Sequence, residues 1–307
     1  MIRFIIIRFL QTIVALFGIM IIVFFLVRAS GDPTVLLQSP NSSPEQIAAL
    51  RHSLGIDKSQ FVQFGIYMRD YVTGNFGKSF IQGRNVTTMI GEALPNTLKL
   101  GIPSFVIGML LALILGVLAA TRRDTIFDNG VKFIAVLGQA LPGFWVAIVA
   151  VMLFSVKWKL LPTQGMDTPI NYILPVGTMV FFMLPGMMRL VRSSMLDVLD
   201  SEYVKLARIK GLSERVVIWK HALRNALISP LTTAGMLFAG MVGGAVITEN
   251  IFNWPGMGRL AISSTMARDF PVVQTITILV AIMVLAMNLF VDITYAYVDP
   301  QIRYQKS

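Results

Sequence analysis

Six apolar runs constrain what this chain can become. They fall at about residues 9–27, 97–120, 131–156, 172–190, 231–248 and 275–297. Each is close to the roughly 20 residues that cross the hydrocarbon core of a bilayer as a helix. No water is available there to satisfy backbone N–H and C=O groups, so such a run must bond to itself. Only 14% of the 307 residues are charged, against about 25% in a soluble domain. The expected fold class is all-α: a polytopic membrane protein with six transmembrane helices. The first run could be a secretory leader, since Val27-Arg28-Ala29 faintly resembles a cleavage site. It exceeds the usual 7–15-residue leader core and is read as a retained span.

Charge placement sets the expected topology. With the N-terminus inside, the inner segments carry Arg3, Arg8, Arg122, Arg123, Lys132, Arg189, Arg192 and the cluster from Lys205 to Arg224, then Arg303 and Lys306. Short outer loops hold only Lys157, Lys159, Arg259 and Arg268, which agrees with the positive-inside rule. Three parts follow: 1–28, a tail and first span; 29–96, an external segment with an amphipathic stretch near 60–72; and 97–307, a core of five spans with a cytoplasmic loop at about 191–228. Both termini are expected in the cytoplasm of a multi-pass protein.

Several functions are excluded. The +10 net charge is spread between spans and not gathered in one domain, so nucleic acid is not an expected partner. The chain has no Cys, and His52 and His221 stand apart, so no metal site or cofactor is expected. Gly77-Lys78-Ser79 suggests a phosphate loop, but Val72 occupies the position of the first glycine. ATP hydrolysis would have to reside on another polypeptide, and the chain reads as a non-enzyme.

Small residues mark close helix contacts. Gly108, Ala112, Gly116 and Ala120 recur every four residues, and Gly240 and Gly244 form G-x-x-x-G. The third run is interrupted at Gly138–Gly143, where Pro142 removes a backbone donor. Gln139 and Pro142 at this break, with Met183 and Met187 in the fourth run, are candidates for lining a pathway. Packing within the subunit competes for each of them. Glu249 and Asp292 are placed near span ends.

The charged segment 200–230 reads as a short helix, a turn and a second amphipathic helix. Ser201 suits an N-cap, Glu202 the first turn, and Gly211 the left-handed residue that ends a helix. Val216, Trp219, Leu223, Ala226 and Leu227 would form the apolar face of the second helix. The sequence Tyr203-Val204-Lys205-Leu206-Ala207-Arg208-Ile209-Lys210-Gly211-Leu212, with His221-Ala222-Leu223-Arg224-Asn225-Ala226-Leu227, resembles the cytoplasmic "EAA" loop of binding-protein-dependent ABC importer permeases of the dipeptide/oligopeptide/nickel group. Residues 251–260, 268–274 and 299–304 resemble other segments of the same group. Two departures stand out: Lys205 and Leu206 replace the name-giving Glu and Ala, and Pro230 falls about one position late.

The resemblance implies a type I importer permease fold in the bacterial inner membrane. It also implies a second homologous permease forming a heterodimer, two ATP-binding-cassette ATPase subunits and an external substrate-binding protein. ATPase coupling would fall to Tyr203, Val204, Lys205, Leu206, Ala207, Arg208, Lys210, Gly211 and Leu212. Val204, Leu206, Ala207 and Arg208 are expected at the docking surface itself. Di- or oligopeptides are the leading cargo, with nickel chelates, glutathione or opines as alternatives. A secondary transporter is the alternative from another class, disfavoured because buried mid-span charges for ion coupling are nearly absent.

Overall fold

The computed structural model describes residues 2–29, 31, 34, 43–53 and 55–298, without side chains at 2, 4, 239, 242–244 and 295–298. It is helical throughout. Helix α1 spans Ile2–Ala29, α2 Pro44–Ser53 and α3 Gln60–Val72. Helix α4 runs over Val86–Thr121, α5 over Ile126–Ala140, and α6 over Gly143–Ala150, continued to Lys157 as a wider π-helical turn. Helix α7 is Ile173–Leu199, α8 Glu202–Ile209, and α9 occupies 214–226. Helix α10 is Ile228–Ile251, α11 Met257–Met266 and α12 Phe270–Val298.

Four helices, α1, α4, α7 and α12, are long and apolar enough to cross a membrane within the described residues. Helix α10, at 24 residues, is about 36 Å long and matches the same thickness. A further, broken crossing is the pair α5–α6, bent by 100° at Leu141-Pro142. This break is sharper than the kink that Pro142 suggests in sequence. The pair still crosses: Asp128 of α5 pairs with Arg192 near one end of α7, whereas Ala147 of α6 packs with Leu174 at the other. Those two positions lie about 27 Å apart along α7 at 1.5 Å per residue.

Helices extend past the apolar runs at both ends. Helix α4 begins at Val86, so residues 86–96 continue the second span and are not part of a separate outer segment. Helix α7 runs on to Leu199, beyond the apolar stretch that ends at Leu190. Hydropathy reports only the lipid-buried part of a helix; hydrogen bonding carries the rest.

The core forms along α4 and α7. Gly108, Ala112, Gly116 and Ala120 are all buried on one face of α4. A Cβ at Gly116 would lie 2.8 Å from Val191 Cβ and 2.9 Å from the Met188 carbonyl oxygen. At Gly108 it would collide with Met183. The backbones thus approach closely, and Met179, Met183, Met187 and Met188 are buried along α7. On α10 the close approach is at Gly235, against Val291 of α12, whereas a Cβ at Gly240 meets nothing within 4 Å among the described residues. The packing of Gly244 lies outside the described residues.

These crossings define two faces. The near face carries 122–126, 199–228 and the start of α1; the far face carries 55–85, 158–172 and 252–269. An Arg8–Asp292 ion pair, at 3.3 Å, ties α1 to α12 toward the near face. Asp292 is therefore partnered, not simply solvated as a span-end carboxylate.

Candidate functional site

The near face is built around α8. Ser201 occupies its N-cap with extended backbone angles, yet its hydroxyl donates to the Val198 carbonyl and caps nothing. The C-terminus is closed by two reciprocal bonds. Leu212 N–H reaches the Ala207 carbonyl, and Gly211 N–H reaches that of Arg208. This arrangement needs a left-handed residue, and Gly211 supplies it with φ of 78°.

Positions 204 and 207, one turn apart, face inward. Val204 is fully buried, and Ala207 nearly so, in one apolar core with Val191 and Met195 of α7 and Val217, Ala222 and Leu223 of α9. This corrects the expected docking surface: Val204 and Ala207 seat the helix on its own subunit. The outward face is Leu206 (50% exposed), Ile209 (81%) and Leu212 (40%), flanked by exposed Lys205 and Lys210. Ile209 was missed because charged neighbours hid its place on the Leu206–Ile209 ridge; i, i+3 spacing was the available signal. Arg208 turns to Glu214, Nε to Oε1 at 2.8 Å, and clamps α8 to α9. Asn225 donates to the Tyr203 hydroxyl at 2.8 Å. Glu202 accepts from Lys205 and raises the pKa of that ammonium.

Helix α9 differs from expectation in phase. Its middle, Val217–Ala222, is a π-helix. The i→i+5 winding puts Val217 and Ala222 on one face, followed by Leu223 and Ala226. Val216 and Trp219 rotate outward and are exposed. Pro230 lies in the first turn of α10, where its missing N–H has no intrahelical partner to lose.

At the break in the third crossing, Gln139 and Pro142 are exposed. Gln139 borders a groove of about 800 Å³ with Arg189, Ser193 and Thr233, and Met183 and Met187 lie at its floor. The four pathway candidates thus divide into two at the surface and two embedded.

The far face holds a polar node that the sequence does not announce. Glu249 is fully buried, and so is not a cheaply solvated span-end carboxylate. It accepts from Thr97 Oγ1 at 2.7 Å, Gly258 N–H at 2.7 Å and Arg259 N–H at 3.1 Å. Thr97 Oγ1 in turn accepts from Met257 N–H at 2.8 Å. The acceptors meet the N-terminus of α11, where orphan donors and the helix dipole favour an anion. A side chain at Gly256 would strike the Glu249 carboxylate, and one at Gly258 the backbone of Val246. Trp254 is fully buried, donates Nε1–H to the Asn96 carbonyl at 2.9 Å and stacks edge-on with Tyr172. Gly77-Lys78-Ser79 also has a structural role: Ser79 donates to Asp269 and accepts from Gln82 N–H. Among the described residues no group of His, Cys, Asp and Glu is arranged to hold a metal.

Known proteins match the sequence over nearly its whole length. Residues 112–304 match the family described as binding-protein-dependent transport system inner membrane component, and residues 1–101 match the N-terminal region of such membrane components. A putative peptide transport system permease protein of Brucella abortus (strain 2308) is 39% identical over 97% of this chain and 98% of its own. The oligopeptide transport system permease protein AppB of Bacillus subtilis is 37% identical over 99% of this chain and all of its own. The glutathione transport system permease protein GsiC of Escherichia coli K12 gives 37%, 99% and 100%. In three dimensions, the inward-facing MetNI methionine ABC transporter superposes with a TM-score of 0.58 at 18% identity, over 69% of this chain and 97% of that one. A buried-seam helical permease core, an amphipathic helix presented between spans and full-length matches converge: the chain is a multi-pass permease subunit of an ABC importer and belongs to the binding-protein-dependent transport system inner membrane component family.

Proposed function

We propose that this chain forms half of a translocation pathway for di- or oligopeptides, paired with a second, homologous permease. Its ATPase partner docks on α8. The observation that carries the docking assignment is the two-sided character of that helix. Val204 and Ala207 fix it to α7 and α9, leaving Leu206, Ile209 and Leu212 as an uncovered apolar ridge between Lys205 and Lys210. Tyr203 and Arg208 brace the ridge from α9, and Gly211 sets its end. A load applied to the ridge passes through Val204 to Val191 and Met195, and so into the α4–α7 seam. Only contacts that differ between states can convert nucleotide binding into movement, and α8 is placed to make them.

The near face is then cytoplasmic, with both termini on that side, and the far face receives the binding protein. The division into 1–28, 29–96 and 97–307 is kept as a functional division only, since α4 crosses its second boundary. Peptide cargo follows from the Brucella and Bacillus relatives, and the glutathione permease of Escherichia coli supports a small γ-linked peptide as the second reading.

The test is affinity purification of the chain from its native membrane in mild detergent, with ATP hydrolysis assayed. A sister permease and an ATPase should co-purify. Leu206→Glu with Ile209→Glu should release the ATPase and leave the sister permease bound. Retention of the ATPase by the doubly substituted chain would sink the ridge as the docking surface. Proteoliposomes containing the recovered assembly should accumulate labelled di- or tripeptides in preference to glutathione.

A further inference from the structure

On the far face, α1, α3 and α12 enclose a cavity of about 440 Å³, bordered by Val27, Arg28, Lys58, Gln63, Phe270 and Gln274 among others. No carboxylate is among its described lining residues. The Nε2 of Gln274 is buried, with no hydrogen-bond partner among the described residues. Such a group is rare in a folded protein and points to a missing acceptor. Arg28, which borders the same cavity, is fixed: Nε donates to Gln63 Oε1 at 2.8 Å, and the guanidinium lies over the Phe24 ring. Gln63 is itself held, because its Nε2 donates to the carbonyls of Ile56 and Lys58. The Arg268 guanidinium approaches Gly31 at the rim. The cavity therefore offers cations and an unused amide donor, a setting that suits an acceptor-only, negatively charged group.

Its depth identifies the source. Arg28 is one residue from the end of the α1 span, and Phe270 opens the α12 span, so the cavity sits where headgroups lie. Directly along α1 from it, Ile22, Phe25 and Leu26 expose apolar side chains outward, a surface suited to acyl chains. We propose that this cavity binds the phosphate of an anionic phospholipid. The phosphate oxygens accept from Gln274 and Arg28, and Lys58 and Arg268 screen the charge.

The experiment uses the purified chain in dodecylmaltoside, stripped of lipid. Phosphatidylglycerol, phosphatidylcholine or inorganic phosphate is added, and the unfolding midpoint and the lipid retained in native mass spectra are measured. Phosphatidylglycerol should raise the midpoint and remain bound, whereas phosphatidylcholine and phosphate should do neither. Gln274→Leu and Lys58→Gln should each weaken retention roughly tenfold, as expected for losing a hydrogen bond or charge at an anion. Gln274→Leu should also raise the lipid-free midpoint, because it removes an unpaired buried donor. Lys58→Gln changes an exposed side chain and leaves folding intact. Equal effects of phosphatidylglycerol and phosphatidylcholine, or undiminished retention in both variants, would overturn the proposal. A full response to inorganic phosphate alone would overturn the lipid assignment.

Discussion

Residues 249–259 on the far face and helix α8 on the near face are held in place by opposite means. On the far face, residues 249–259 are locked by buried polar bonds, with Glu249 taking two backbone donors and a hydroxyl and Trp254 donating to Asn96. On the near face, α8 rests on apolar contacts through Val204 and Ala207, and its polar ties, Arg208–Glu214 and Asn225–Tyr203, are exposed. Buried hydrogen bonds are directional and costly to leave unmade. Apolar contacts tolerate sliding, and exposed ion pairs are worth little. Residues 249–259 are built to stay fixed and α8 to shift as a unit, against a near end whose helices α5 and α7 are tied by the buried Asp128–Arg192 pair.

The largest test of this contrast is Glu249→Leu. It strands the N–H groups of Gly258 and Arg259 and the Thr97 hydroxyl, and should destabilise the chain by about 3 kcal/mol or more at about 1–3 kcal/mol per orphaned group. Chemical unfolding in detergent would measure it, and a loss below about 1 kcal/mol would break the claim that polar bonds fix this end. Next comes Val204→Ala, a buried truncation expected to cost about 1–3 kcal/mol. It should loosen α8 alone, seen as faster cleavage by trypsin at Lys205 or Arg208 with the far face still protected. Gly211→Ala should cost about 1–2 kcal/mol, since only the positive φ opposes it and its Cβ would meet no atom. Gly211→Asn should recover part of that loss. Arg208→Gln should change stability by under about 1 kcal/mol, because the pair with Glu214 is exposed. A larger effect would show the near face to be as rigidly tied as the far one.

Sequence reading recovers what periodicity encodes and misses what depends on neighbours. The long apolar helices, the α4 small-residue stripe and the turn at Gly211 follow from hydropathy, spacing and backbone freedom, each a local property. The inward orientation of Val204 and Ala207 does not, because a short helix with apolar residues on two sides has two possible seats and only packing chooses between them. The phase of α9 was lost to the π-turn at Val217–Ala222, since a wheel drawn at 3.6 residues per turn misplaces Val216 and Trp219. In sequence Glu249 reads only as a span-end carboxylate, because its partners are the distant Thr97 hydroxyl and backbone donors nine and ten residues away, which leave no trace in composition.

The break at Leu141-Pro142 also fixes how the subunit is turned about its own axis in the bilayer. Pro142 has no N–H, so the Gly138 carbonyl loses its partner four residues on. The break sits at membrane depth. Bare carbonyls facing lipid are not tolerated there; such sites are covered by protein or open to a water-filled cavity. The groove beside Gln139, Arg189 and Ser193 is where water or a protein neighbour would meet those carbonyls. The outward apolar side chains of α1, from Ile6 through Leu26, show where hydrocarbon lies. The subunit thus has a compass: a wet or partnered flank at the broken span and a greasy flank at the first helix.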